Sequence, residues 1–111
     1  MRGSDLMKQF ELVDKSVTIQ GVQMLLVMIE RTDNATLIHW RVPKSLVGNV
    51  GRAPRVALGE SNSGNTIPME FRNSGGAGTE SHMVDVYPGR YESGLVIRDV
   101  ESGTLIFQEG H

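Results

Sequence analysis

Six apolar residues stand in a row from Met24 to Ile29, inside a run that reads Val22-Gln23-Met24-Leu25-Leu26-Val27-Met28-Ile29-Glu30-Arg31. A helix that crosses a bilayer takes about 20 apolar residues, so this run is too short to span one and no direct membrane insertion is expected. Side chains alternate from face to face along a strand, so a strand here is apolar front and back. Such a strand has to be covered on both sides, within its own domain or by another chain. No window of the sequence sustains apolar residues at helical spacing, whereas short β-branched runs parted by Gly, Asn, Asp and Ser recur along its length. The chain reads as an all-β domain, an antiparallel β-sandwich with a small barrel as the competing arrangement.

At 111 residues the chain is one domain. Strands are expected at Lys8–Val13, Ser16–Ile19, Val22–Arg31, Thr36–Val42, Arg55–Leu58, Ile67–Arg72, Ser81–Tyr87, Leu95–Val100 and Thr104–Gln108, about eight or nine in all. Asp33-Asn34 makes a two-residue turn, since both residue types tolerate positive φ. That register sets Ile29 opposite Ile38, Val27 opposite Trp40 and Leu25 opposite Val42, and gives these residues the core face. A three-residue turn shifts the partners by one and leaves the apolar sets within each strand intact. Near the C-terminus, Glu101-Ser102-Gly103 fits a three-residue loop and gathers Leu95, Ile97, Leu105 and Phe107 on one face. Tyr87-Pro88-Gly89-Arg90 is a further turn, and the segment from Pro43 to Pro54 is a long connection between sheets.

Composition removes several function classes. Lys and Arg number 11 against 13 Asp and Glu, a net charge of −2, which speaks against nucleic acid as a partner. The absence of cysteine excludes disulfides, thiolate metal sites and a cysteine nucleophile. Residues 1–7 read as a flexible N-terminal segment ahead of a single domain at 8–109, because Met1-Arg2-Gly3-Ser4 looks like an expression-vector leader. The domain is read as cell-envelope or secreted if those residues are vector-derived, and as cytoplasmic if they are native.

The chemistry-bearing residues form no recognisable catalytic pattern. His82 and Asp85 are three apart on a strand and point to opposite faces, and only long-range folding could bring His39 to His82. A zinc site needs three or four convergent ligands, so no metal is expected and the histidines read as half-exposed residues. No serine sits in a Gly-x-Ser-x-Gly elbow, and Glu60, Glu70, Glu80 and Asp85 follow no glycosidase pattern. Gly75-Gly76-Ala77-Gly78 lacks the Lys-Ser/Thr and helix start of a phosphate loop. The expectation is a non-enzymatic protein without cofactor. Its candidate site is the second face of the central hairpin, with Met24, Leu26, Met28, Leu37 and His39 meeting a second copy or another protein. The competing reading covers that face from within, through Leu6, Met7 and Phe10. Loops Pro43–Pro54 and Asn73–Thr79 would supply specificity.

From Gln20 onward the order of features resembles the bacterial immunoglobulin-like domains of unknown function, telokin-like sandwiches attached to cell-envelope proteins. The similarity rests on Gly21-Val22, the long strands to Arg31 and from Thr36 to Val42 around a polar turn, the Gly-rich insert, the strand ending in Tyr87-Pro88, and Leu95-Val96-Ile97. It implies an antiparallel immunoglobulin-like β-sandwich and no activity. Gly75, Gly76 and Gly78, followed by Met83 to Val86 and Pro88-Gly89, also look like the Gly-rich loop of the chagasin-type inhibitors of cysteine proteases. That family's Asn-Pro-Thr-Thr-Gly and Arg-Pro-aromatic loops are missing here. Inhibition of a peptidase is the alternative function this second resemblance implies.

Overall fold

A computed structural model describes residues 9–46, 49–61, 63–75, 82–92 and 94–109. Among these residues the chain forms nine strands: β1 (Gln9–Ile19), β2 (Val22–Arg31), β3 (Ala35–Arg41), β4 (Val56–Glu60), β5 (Thr66–Ile67), β6 (Phe71–Gly75), β7 (His82–Pro88), β8 (Leu95–Asp99) and β9 (Leu105–Gln108). They build two antiparallel sheets, one of five strands in the order β1-β2-β3-β7-β6 and one of four in the order β5-β4-β8-β9. The protein is a β-sandwich. The connection after β3 carries two short 3-10 turns, Lys44–Leu46 and Val50–Arg52, and crosses from the larger sheet to the smaller. The expected strand Ile67–Arg72 divides at this point, its first residue pairing in one sheet and its last two in the other. The expected N-terminal segment 1–7 lies outside the described residues.

Local sequence accounts for most of the turns. Gln20 and Gly21 both take positive φ, 52° and 80°, and close the β1–β2 hairpin as a two-residue turn of the handedness that twisted strands favour. Asp33-Asn34 is the turn of the next hairpin, flanked by a Thr32 N–H to Ala35 carbonyl bond of 2.9 Å. Gly103, at φ 76°, ends the last hairpin loop. That loop runs from Val100 to Gly103, because the Asp99 N–H donates to Thr104 and the Gly103 N–H to Asp99.

The register of the central hairpin departs from simple alternation at one residue. From Arg31↔Thr36 to Met28↔His39 the pairing follows the Asp33-Asn34 turn, Ile29↔Ile38 included. The next pair is Leu26↔Trp40, so Val27 has no partner on β3 and forms a bulge. Across from it, Val13 and Asp14 of β1 are also out of register, and Asp14 takes a positive φ of 54°. A bulge adds one residue and reverses the in-and-out parity beyond it. Met24 and Leu26 therefore enter the core together with Ile29, Ile38, Trp40 and Val42. Leu25 and Val27, expected in the core, are half-buried. A second irregularity, between Ile97 and Arg98, puts Ile106 inside and leaves Leu105 outside, contrary to the expected face of the last hairpin.

The core lies between the sheets around Trp40, with Ile19, Leu58, Ile67, Met83, Tyr87, Leu95 and Ile97. Trp40 Nε1 and the Tyr87 hydroxyl find no hydrogen-bond partner among the described residues, each at a cost of about 1–3 kcal/mol. Burial, then the nearby Asp85 carboxylate, pushes the Tyr87 phenol up, so it stays protonated.

Two ionic clusters tie the layers together. Arg72 clasps Asp85 through Nε at 2.6 Å and Nη2 at 3.0 Å, and also donates to the Ala53 and Pro54 carbonyls of the crossover. Arg31 donates to the Tyr91 carbonyl, to Glu109 and to Glu11. The neighbouring Glu109 carboxyl, and then burial, hold the Glu11 carboxyl above the usual range. Burial opposes the ionisation of Glu109, yet hydrogen bonds from Glu11, Arg31 and the Leu95 N–H keep its carboxyl below that range.

Candidate functional site

Sandwich packing uses one face of the five-stranded sheet and leaves the other turned away from the second sheet. The register assigns that outer face in rows that run across the strands. One row is Phe10, Glu30, Leu37, Val86 and Phe71, and the next is Leu12, Met28, His39, Val84 and Asn73. A third is Ser16, Leu25, Arg41 and His82, ending at the backbone of Gly75. Apolar side chains dominate the first two rows. Phe10, Leu12 and Phe71 are 56%, 76% and 52% exposed, and Met28, Leu37, Val84 and Val86 are half-buried. This is a broad apolar surface with few charges, and its two edges are its most exposed parts.

A polar chain runs through the middle of that surface. His39 Nε2 lies 2.8 Å from Glu30 Oε1, and His39 Nδ1 lies 2.9 Å from His82 Nε2. A carboxylate can only accept, so the Nε2–H of His39 donates to Glu30. The Nδ1 of that tautomer is an acceptor, so His82 donates its Nε2–H to His39. The ring centroids are 5.0 Å apart and the planes differ by 16°. Rings packed face to face stay about 3.5 Å apart, so nitrogens at 2.9 Å mean that the imidazoles meet edge to edge through an in-plane hydrogen bond. Glu30 and His39 are nearly buried among their apolar neighbours, at 6% and 7% exposure.

The expected site residues divide between the two faces. Met28, Leu37 and His39 lie on the outer face, as the hairpin reading placed them. Met24 and Leu26 do not: the Val27 bulge turns them inward, and at 3% and 0% exposure neither can touch a partner. Gly75 is the last residue of β6 and pairs with His82, while Gly76 and Gly78 lie outside the described residues. Leu12 on β1, Val84 and Val86 on β7 and Phe71 on β6, which the sequence reading passed over, complete the surface together with Phe10 of β1, expected as a cover for this face, and Leu25 of β2, expected in the core. The signal available for β7 was its alternation of Val84 and Val86 with Met83, Asp85 and Tyr87, which makes both of its faces largely apolar. Of the two histidines expected to be half-exposed, His82 is so and His39 is nearly buried, and they meet because β3 and β7 are neighbours that join residues 43 apart in sequence.

The rest of the described surface offers less. A shallow, open depression of about 300 Å³ lies on the smaller sheet beside Gly59, Glu60, Arg98 and Gln108. Among the described residues no group of three or more His, Asp or Glu is arranged to hold a metal ion, and no helix is long and apolar enough to cross a membrane. No family model, no curated protein and no solved structure matches the chain.

Proposed function

We propose that this chain is a non-catalytic assembly module that pairs with a second copy of itself through the outer face of its five-stranded sheet. The observation that carries this reading is the continuity of the apolar rows from Phe10 and Leu12 at one edge to Phe71 at the other. Monomeric proteins rarely leave apolar patches larger than a few hundred Å² uncovered. Strand spacing of about 4.8 Å and a same-face repeat of about 6.8 Å give this face a footprint of roughly 500 Å². Two such faces together bury about 1,000 Å², the size at which an interface becomes biologically credible.

Charge placement favours a like partner. Glu30 stands in one outer row and Arg41 two rows away. A two-fold axis lying across the strands at the His39 row sets the Glu30 row of one copy over the Arg41 row of the other, with the two charges one strand apart and neither facing its own kind. The net charge of −2 supports a protein partner over nucleic acid. The immunoglobulin-like reading draws support from the strand order: β2-β3-β7-β6 beside β5-β4-β8-β9 follows the A-B-E-D and C′-C-F-G order of that fold, with β1 added outside.

Leu37→Glu tests the proposal, because Leu37 is half-buried on the outer face and a carboxylate there stays solvated in the monomer. Light scattering on a sizing column is expected to give a dimer for the parent chain and a monomer for the variant, with an unchanged far-ultraviolet dichroism spectrum. A parent chain that stays monomeric at high concentration, or a variant that dimerises equally well, would overturn it.

A further inference from the structure

We infer that His39 and His82 form a two-nitrogen chelate for a divalent transition metal of right-angled coordination, copper(II) first and nickel(II) after it, with Glu30 holding His39 from behind. The site is independent of self-association, because a single copy supplies both nitrogens.

The span between the nitrogens sets the class of metal. His39 Nδ1 and His82 Nε2 lie 2.9 Å apart. Imidazole nitrogens bind divalent transition metals at about 2.0–2.1 Å, and an ion that far from both of these subtends an angle of about 90° between them. A tetrahedral ion needs its nitrogens about 3.3 Å apart, so the span suits two adjacent positions of a tetragonal ion better than it suits zinc. Copper(II) and nickel(II) take that geometry with imidazole donors, and copper(II) heads the affinity order of the divalent series. The sheet fixes the span. His39 pairs in register with Val84 and Arg41 with His82, so the two rings meet on the diagonal between bonded neighbours β3 and β7.

Hydrogen positions suit a ligand pair. The His39 Nε2–H donates to Glu30 Oε1 at 2.8 Å, which leaves the lone pair on Nδ1, the nitrogen turned toward His82. A carboxylate behind a ligand histidine fixes its tautomer and raises its basicity, and Glu30 fills that place. One hydrogen occupies the gap between the rings, on His82 Nε2. As the ion binds, that hydrogen passes through water to His82 Nδ1. His82 stays neutral, and two lone pairs face the metal. The ring planes differ by 16°, so an in-plane swing of the half-buried His82 ring turns both lone pairs onto one ion. Nearby charges act in both senses: the Glu30 carboxylate favours a dication, and Arg41, exposed beside His82, opposes it. Asp14, also exposed, lies two strands away on β1. Water fills the remaining positions of the ion, in keeping with the lack of any cluster of three or more His, Asp or Glu among the described residues.

Calorimetric titration with copper(II) chloride at about pH 7.5, where neutral imidazole prevails, tests the site together with electron paramagnetic resonance. The parent chain, dilute enough to stay monomeric, is expected to bind copper(II) in an axial spectrum split by two nitrogens. His82→Gln, at a half-buried position, is expected to lose one of those nitrogens and at least about tenfold in affinity. Glu30→Gln keeps an acceptor for His39 without the charge and is expected to weaken binding about tenfold with both nitrogens retained. Nickel(II) is expected to compete for the site better than zinc(II), and the reverse order would refute the right-angled geometry. A parent chain that takes up no copper(II), or a His82→Gln variant with the parent's affinity and spectrum, rules the chelate out. Unchanged affinity in Glu30→Gln removes Glu30 from it.

Discussion

Truncating Leu26 and Met28 separately tests the Val27 bulge, on which the identity of the outer face depends. The two residues are two apart in one strand, so simple alternation puts them on the same side. The bulge puts Leu26 in the core at 0% exposure and leaves Met28 half-buried on the outer face. Leu26→Ala removes about three methylene equivalents, worth roughly 2.4 kcal/mol of transfer free energy. The cavity left between the sheets brings the total to about 3–5 kcal/mol. For a domain of this size that lowers Tm by on the order of 15 °C. Met28→Ala vacates space that solvent already reaches and costs about 1 kcal/mol or less. The measurement is urea unfolding followed by the emission of Trp40, the one tryptophan and fully buried, at concentrations low enough to keep the chain monomeric. Equal costs, or a larger cost for Met28, would mean an unbroken strand and would refute the assignment of both faces.

Two further outcomes concern the cluster that joins β1, β2 and the C-terminal end of β9. Glu109→Ala leaves the Arg31 guanidinium, 2% exposed, without its nearest carboxylate and is expected to cost about 3–5 kcal/mol in the same unfolding assay. Glu11→Gln acts with a defined sign. The Glu11 carboxyl is raised in the folded chain by its hydrogen bond to Glu109 and by burial, so its ionisation weakens the fold as pH rises from the unfolded value near 4.3 through the folded one. Glutamine never ionises, so the variant is expected to raise Tm at neutral pH and to leave it unchanged below about pH 4. A gain of the same size at both pH values would exclude this origin.

Strand positions and turns were legible in the sequence because local backbone preferences set them. Gly103 favours the positive φ it takes, Asp33-Asn34 turns the chain where expected but without positive φ, the β-branched runs fall where strands form, and Val22–Arg31 is one strand from end to end. The sandwich followed from the spacing of those strands. The weak point was the parity of β2. With apolar residues at every position from Met24 to Ile29, alternation holds no information about which residues face inward. The bulge that settles the matter depends on Val13 and Asp14 of β1 and on Trp40 and His39 of β3, residues that meet Val27 only once the sheet has assembled. The histidine pair was hidden for a similar reason: His39 and His82 become neighbours through the β3–β7 pairing, which closes a loop of more than forty residues and leaves no local trace. The sequence by itself thus determined that the chain forms a β-sandwich with one strand apolar on both faces. Tertiary structure alone decided which methionine and which leucine turn outward and which charges stand among them, because register is a property of paired strands and no single strand contains it.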